Sequence, residues 1–317
     1  MCTAIAYKNG DTYFGRNLDL DRGYGESVVI TPRRYSFPMR YMEPLTTHYA
    51  MVGMATVVNN FPLYYDATNE EGLSMAGLSF PGNAVYYDYD GQKDNIAPFE
   101  LIPWVLGRCA CVDDVRQMLR RLNLVKVNFS EDLPLSPLHW MISDRQGSIV
   151  LESLADGLKV YENPFEVLTN NPPFDYHRIH MSNYMSFHTG ASDRRLGQKI
   201  PLDHYSLGMG ALGLPGDFSS VSRFVKAFFV KENLATGESE RERVCQFFHA
   251  LNSVAMPRGC VQTSDGLEYT RYSSCCNVDR GVYYYTTYHD LGISSVCLHD
   301  VDLEGERPIR YAVTGLA

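Results

Sequence analysis

The sequence predicts an α+β fold with largely antiparallel sheets, on three observations. Strand-like runs gather towards the two ends of the chain and helical periodicity lies between them, instead of alternating strictly. Several neighbouring strand candidates are joined by short Gly-containing turns. A length of 317 residues with 45% hydrophobic content is enough to bury a large core.

"TAIAYKNGDTYFGRNL" reads as a hairpin, because Asn9-Gly10 between two strand-like runs signals a type I′ turn. Its register would bring Cys2, at one strand's beginning, towards Arg16, near the other's end. "SVVITP" and "YAMVGMAT" follow as strands. Helical spacing runs over Phe99 to Arg108 and through "VDDVRQMLRRLNLV". "LHWMISD" pairs with "SIVLES" through Arg145-Gln146-Gly147, and "GLKVYE" is next. Two further helices are expected over Ser220 to Lys231 and in "ESERERVCQFFHALNSV". "LEYTRYSSCC", "VYYYTTY" and "ISSVCLH" form a meander around Asp279-Arg280-Gly281 and Asp290-Leu291-Gly292. The stretch at about 186–217, rich in Gly and polar residues, reads as an excursion or assembly loop. Strands after it look like partners for those before it, so one domain over 1–317 is expected.

Composition removes several classes. A formal charge of −9 and a pI near 5.5, with no Lys/Arg stripe, argue against a nucleic-acid partner. The longest apolar runs fall far short of the about 20 residues a bilayer requires, so no membrane partner is expected. The start lacks a basic stretch followed by an apolar core, so the expected location is cytoplasmic. The 8 cysteines then read as reduced thiols. Cys109, Cys111, Cys275 and Cys276 lack matched C-x-x-C knuckles, and no metal or organic cofactor is expected. "GMGALG" imitates a dinucleotide-binding loop but runs at once into Leu214-Pro215-Gly216, which makes it a turn. His177 and His180 in "HRIH" have no third ligand beside them and read as surface or packing residues.

The chain opens "MCTAIAYKNGDTYFGRNLDLD". Cytosolic processing generally removes methionine ahead of a small residue, which would leave Cys2 carrying both a thiol and a free α-amine. An α-amine titrates near about 7.7–8.0, against about 10.4 for lysine, so it can serve as general base at neutral pH. The thiol is the nucleophile, and the chemistry this suits is acyl transfer from an amide. The plain alternative is a small buried hydrophobe on an edge strand. Company favours the first reading. Arg16 and Asp19 can reach the thiol end of the hairpin, "VLTNNPPFDYH" offers a turn whose side-chain amide can donate to an oxyanion, and Arg223 lies in the first turns of a helix.

These segments, with "PLYYDATNEEGLSMAGLSFPGN", "LHWMISD", "GLGLPGDFSSVSRFVKAFF", "FFHALNSVAMPRG" and "YTRYSSCCNVDRGVYYYTTY", resemble the choloylglycine hydrolase family of N-terminal-nucleophile hydrolases over nearly the whole chain. The family comprises conjugated bile acid hydrolases and penicillin V acylases. The resemblance implies a four-layer αββα sandwich. It implies Cys2 as nucleophile and base, Asp19 as partner of the α-ammonium, Arg16 as the cation beside the thiolate, Arg223 as a second arginine, and Asn171 as the oxyanion amide, with Asn170 as the neighbouring alternative. Ser79 stands where bile acid hydrolases commonly carry Asn and penicillin V acylases often Tyr; its backbone N–H would be the second oxyanion donor.

For the acyl group, loops at 20–26, 59–65 and 129–140 offer Leu20, Tyr24, Phe61, Leu133 and Leu135 as an apolar wall, though such residues often pack beneath their own loops. The expected activity is hydrolysis of glycine- or taurine-conjugated bile acids without a cofactor. Penicillin V or another N-acyl compound is the alternative substrate, and a ligand-binding or thiol-rich regulatory protein the alternative class. Family resemblance further implies a homotetramer.

Overall fold

The computed structural model describes residues 1–191, 200 and 202–316. Its strands in chain order begin with β1 (Cys2–Asn9), β2 (Asp11–Leu20), β3 (Glu26–Thr31), β4 (Met51–Val58), β5 (Phe61–Asn69) and β6 (Ser74–Ser79). Next come β7 (Asp94–Ile96), β8 (Leu122–Leu124), β9 (Leu138–Ser143), β10 (Ser148–Leu154), β11 (Gly157–Glu162) and β12 (Val167–Leu168). β13 (Val261–Gln262), β14 (Leu267–Asn277), β15 (Val282–Thr287), β16 (Ser294–Cys297) and β17 (Ile309–Ala312) complete them. The helices are α1 (Leu101–Arg108), α2 (Val112–Met118), α3 (Phe174–His180), α4 (Ser220–Glu232) and α5 (Glu240–Asn252).

Two antiparallel sheets dominate. One runs β12-β1-β2-β14-β15-β16, with β13 on β14; the other runs β11-β10-β9-β6-β5-β4-β3-β17. Period-two alternation sorts the side chains of the second sheet: Val28 and Ile30 join the core shared with the first sheet, whereas Val29 faces α1 and α2. On its outer side the first sheet is covered by α4 and α5, through residues such as Phe224, Ala227, Phe247 and Leu251. The layers are therefore helix, sheet, sheet, helix, the four-layer sandwich expected. Central strands buried on both faces explain the near-continuous apolar runs in β1 and β4.

The N-terminal hairpin forms as expected, with Ala4 opposite Arg16 and Cys2 opposite Leu18. Its turn differs: a type I′ turn needs positive φ at both central residues, and only Gly10, at 74°, has it. The end of "VDDVRQMLRRLNLV" is not helical, because Leu122–Leu124 instead pairs in parallel with Asp94–Ile96. The segment 59–65 is not simply a loop: Asn59 and Asn60 make a left-handed turn, after which β5 begins at Phe61. α3 adds a helix that holds both His177 and His180. Of the 186–217 stretch, residues 192–199 and 201 lie outside the described residues; "GMGALG" includes a single 3₁₀ turn over Met209–Ala211. Among the described residues no helix is long and apolar enough to cross a membrane.

Candidate active site

Cys2 begins β1, an inner strand flanked by β12 and β2, and is buried. Met1 is still attached, so the Cys2 nitrogen is a peptide N–H; its position marks where removal of Met1 would create the α-amine. That N–H donates to Oδ1 of Asn170 at 2.8 Å. Arg223 donates to the same Oδ1 at 2.8 Å, and also to Cys2 O and Thr3 Oγ1. It stands one turn into α4, whose N-cap Ser219 accepts from Ser222 N–H. α4 also presents Ser220, whose Oγ accepts Asn170 N–H at 2.8 Å and lies 2.8 Å from Thr169 Oγ1. One helix start thus fixes both the arginine and the asparagine.

The structure brings Asn170, and not Asn171, to Cys2. Asn171 Nδ2 donates instead to Pro81 O, so of the two asparagines considered for the oxyanion amide the one at Cys2 is the alternative, Asn170, and not Asn171. Neighbouring residues in an irregular turn point their side chains apart, and tertiary contacts decide which one faces inward. The Asn170 backbone is held further by His177 Nε2, which donates to its carbonyl at 3.1 Å. On the other side of the turn, buried His139 connects Glu152 Oε1 (3.0 Å) with Thr169 O (2.9 Å), and the same Oε1 accepts Phe174 N–H.

Ser79 ends β6. Phe80 N–H donates to Pro137 O, so antiparallel alternation turns the Ser79 backbone groups to the opposite edge, where pairing with β5 has already ended at Asp66↔Ala76. There Ser79 O accepts from Asn170 Nδ2 at 2.7 Å. An amide nitrogen has two hydrogens, so Asn170 keeps a second one for another acceptor.

Arg16 is fully buried, and its Nη1 donates to Tyr65 O and Gly77 O. Burial opposes its charge, but Cys2, Tyr272, Asp66 and Asp19 outweigh that effect and hold its proton more tightly than in an ordinary guanidinium. Arg223 is shifted the other way, chiefly by burial, which Asp19, Cys2 and Glu268 offset only in part. Asp19 Oδ1 accepts from Thr270 Oγ1 at 2.6 Å. Two buried atoms here, Arg16 Nη2 and Asp19 Oδ2, have no hydrogen-bond partner among the described residues. The Met1 ammonium donates to Asp19 O and forms an ion pair with Glu268 at 2.7 Å. Sequence reasoning passed over Glu268; an isolated acid at a strand's beginning carries no signal by itself.

The apolar wall assembles only in part. Leu20 ends β2 and packs at the edge of the inter-sheet core. Tyr24 is exposed and held by Glu26, while Leu133 and Leu135 are half-buried in the loop that reaches Phe80 through Pro137. Phe61 does not join them: it is buried on the helix side of its sheet, against Phe37, Phe99 and Phe129. It is the first residue of β5, directly after the left-handed Asn59-Asn60 turn.

A buried cysteine at the beginning of a central strand, flanked by two arginines, a carboxylate and an amide within two facing sheets, defines an amide hydrolase of the N-terminal-nucleophile class. The chain belongs to the choloylglycine hydrolase family of linear amide C–N hydrolases, whose family model matches residues 2–311. It is 51% identical to a bile salt hydrolase/transferase of Lactiplantibacillus plantarum, over 98% of this chain and 96% of that protein. The solved structure of a mutant conjugated bile acid hydrolase from Clostridium perfringens superposes with a TM-score of 0.92 at 34% identity, covering 99% of this chain and 98% of that one. A penicillin V acylase from Agrobacterium tumefaciens, at TM-score 0.76 and 21% identity over 98% and 91% of the two chains, shares the fold.

Proposed function

We propose that the chain, as a single catalytic domain freed of Met1, hydrolyses the amide of glycine- or taurine-conjugated bile acids. The observation that carries the mechanism is the pair of unpartnered buried atoms at Cys2, Arg16 Nη2 and Asp19 Oδ2, one suited to a thiolate and the other to an α-ammonium. The Cys2 thiolate attacks the acyl carbonyl. Asn170 Nδ2 and the Ser79 N–H donate to the oxyanion, where preorganised donors act most strongly. The α-ammonium gives its proton to the departing amine, a thioester remains, and water deprotonated by the free amine cleaves it. Apart from the water, every group the scheme uses is a side chain, backbone amide or terminus of the chain itself, and no cofactor enters it.

The bile-acid reading rests on the names carried by the relatives and on the small Ser79, which leaves the oxyanion edge uncrowded. Removal of methionine before Cys2 fits a cytoplasmic location. Exposed Met185, Tyr205 and Leu207 in and beside the excursion support its role in assembly of a homotetramer, which sedimentation would test.

A product assay on paired glycine and taurine conjugates, with penicillin V in parallel and the N-terminus read by mass spectrometry, tests the whole reading. Turnover of conjugates is expected only from chains that lack Met1, because retention of Met1 turns the base into an amide. Normal turnover by a Met1-retaining chain overturns the mechanism, and preference for penicillin V overturns the substrate.

A further inference from the structure

Asp66 is a buried carboxylate for which the reaction above has no use. It lies on β5 in the layer between the sheets, 2% exposed, and three hydroxyls donate to it: Tyr272 at 2.6 Å, Tyr283 at 2.8 Å and Ser274 at 3.0 Å. Ser274 Oγ in turn accepts the Arg16 backbone N–H at 3.1 Å. The hydroxyls converge on both carboxyl oxygens, Tyr272 on Oδ1 and Tyr283 and Ser274 on Oδ2. Burial pushes the carboxyl pKa up, and Arg16 leads the groups that oppose this, ahead of the three hydroxyls.

Arg16 reaches the same spot. Met54 pairs with Asp66 and Ala55 with Tyr64, so Tyr65 is the extra residue of a β-bulge. Its carbonyl, freed from the ladder, accepts Arg16 Nη1 at 3.0 Å, one residue from Asp66. Bulge, carboxylate and guanidinium thus converge in the inter-sheet layer beneath Cys2.

We propose that Asp66 is the buried counter-charge of Arg16, a positioning residue that acts through the guanidinium, itself held by Tyr65 O and Gly77 O, and sets how strongly its charge acts on the Cys2 thiol. This rests on Cys2 being the nucleophile. A carboxylate fully withdrawn from water is costly unless opposite charge and hydrogen bonds compensate it; Arg16 supplies the charge through space and Ser274 Oγ links its backbone N–H to Asp66. The groups facing Asp66 are Tyr272, Ser274 and Cys276 from β14, Tyr283 from β15 and Arg16 from β2. Those around Cys2 and its amine are Arg16 and Asp19 from β2, Arg223 from α4, and Tyr272 and Glu268 from β14. Neutralising Asp66 leaves the balance more positive, so the thiol ionises, and the α-ammonium releases its proton, at lower pH.

The test uses Asp66→Asn and Asp66→Ser in full-length protein verified to lack Met1. Alkylation of Cys2 by iodoacetamide is followed against pH on the N-terminal peptide by mass spectrometry, which separates it from the other cysteines. In both variants the alkylation curve and the acid limb of the deconjugation rate should move to lower pH by about 0.5–1 unit, the size of one buried charge removed at intermediate dielectric. Serine leaves room for water to satisfy the two tyrosines, so it answers the question if asparagine prevents folding. An alkylation curve that stays in place or moves up, even with a lowered melting temperature, overturns the proposal and leaves Asp66 a packing residue. Should alkylated Cys2 still support deconjugation, the nucleophile assignment fails separately, since the alkylation curve reports the coupling in either case.

Discussion

In the mechanism proposed for Cys2, one residue's nitrogen and sulfur serve two roles, and the surroundings decide whether they can. Asn170 accepts from the Cys2 nitrogen with its oxygen, and its amide nitrogen reaches Ser79 O while keeping a hydrogen in reserve. Asn170→Ala is therefore expected to lower kcat by about 10²–10³ with little change in KM, since the lost donor acts on charge that exists only in the transition state. Asn171→Ala should stay near normal because its amide is spent on Pro81 O. Ser79→Ala keeps the backbone donor and should lose far less than Asn170→Ala. Steady-state kinetics on a conjugated cholate checks all three; a crippled Asn171 variant beside a normal Asn170 variant would reverse the assignment. Cys2→Ala should abolish turnover and Cys2→Ser reduce it severely, because serine retains a nucleophile but not the readily ionised thiol.

Among the elements, the β1–β2 hairpin carries most of the site, and it had to be threaded closely against β14. A Cβ built on Gly15 would lie 2.0 Å from Ser274 O, a backbone atom with no room to retreat. Gly15→Ala should thus separate β2 from β14, destabilise the protein by about 1–3 kcal/mol or more, and disturb the adjacent Arg16. Denaturant unfolding and kcat/KM of the same sample would show both; an unchanged midpoint would mean that the strands yield at little cost. Elements with local signals were legible: alternation and turns gave β9–β10 and the β14–β16 meander, and helical periodicity gave α4 and α5. α3 was not, because seven residues after two prolines carry too little periodicity. Leu122–Leu124 continues a helical pattern, yet its partner Asp94–Ile96 is close only in the folded chain.

For the molecule as a whole, acid sensitivity should run in part through the contact between α3 and the Asn170 turn. His177 is buried against Phe224, and burial depresses its pKa from 6.5 to about 4, despite its bond to Asn170 O. The unfolded chain then binds more protons than the folded one between these values. His177 contributes stability that is complete above pH 6.5 and is lost as pH falls towards 4, about 3 kcal/mol in all. His177→Gln can still donate to Asn170 O but cannot titrate, so urea midpoints measured at neutral pH and near pH 4 should differ less in the variant. An equal acid loss in both proteins would remove His177 from the account.

The sequence alone determined the class of fold and the candidate nucleophile: two groups of strands around helices, and a cysteine behind the first methionine with Arg16 and Asp19 on the next strand. These are matters of composition, periodicity and short spacing, which need only neighbours along the chain. The tertiary structure alone decided that Asn170 and not Asn171 turns to Cys2, that Phe61 leaves the acyl wall for the helix-side core, and that Asp66 lies beneath Arg16. These depend on groups far apart in sequence meeting in the buried layers, such as Arg16 on Tyr65 O and Tyr272 on Asp66, 49 and 206 residues apart. For Asn170 a hydrogen bond, unavailable from water, selects the side chain that faces inward, and for Phe61 packing against Phe37, Phe99 and Phe129 does so.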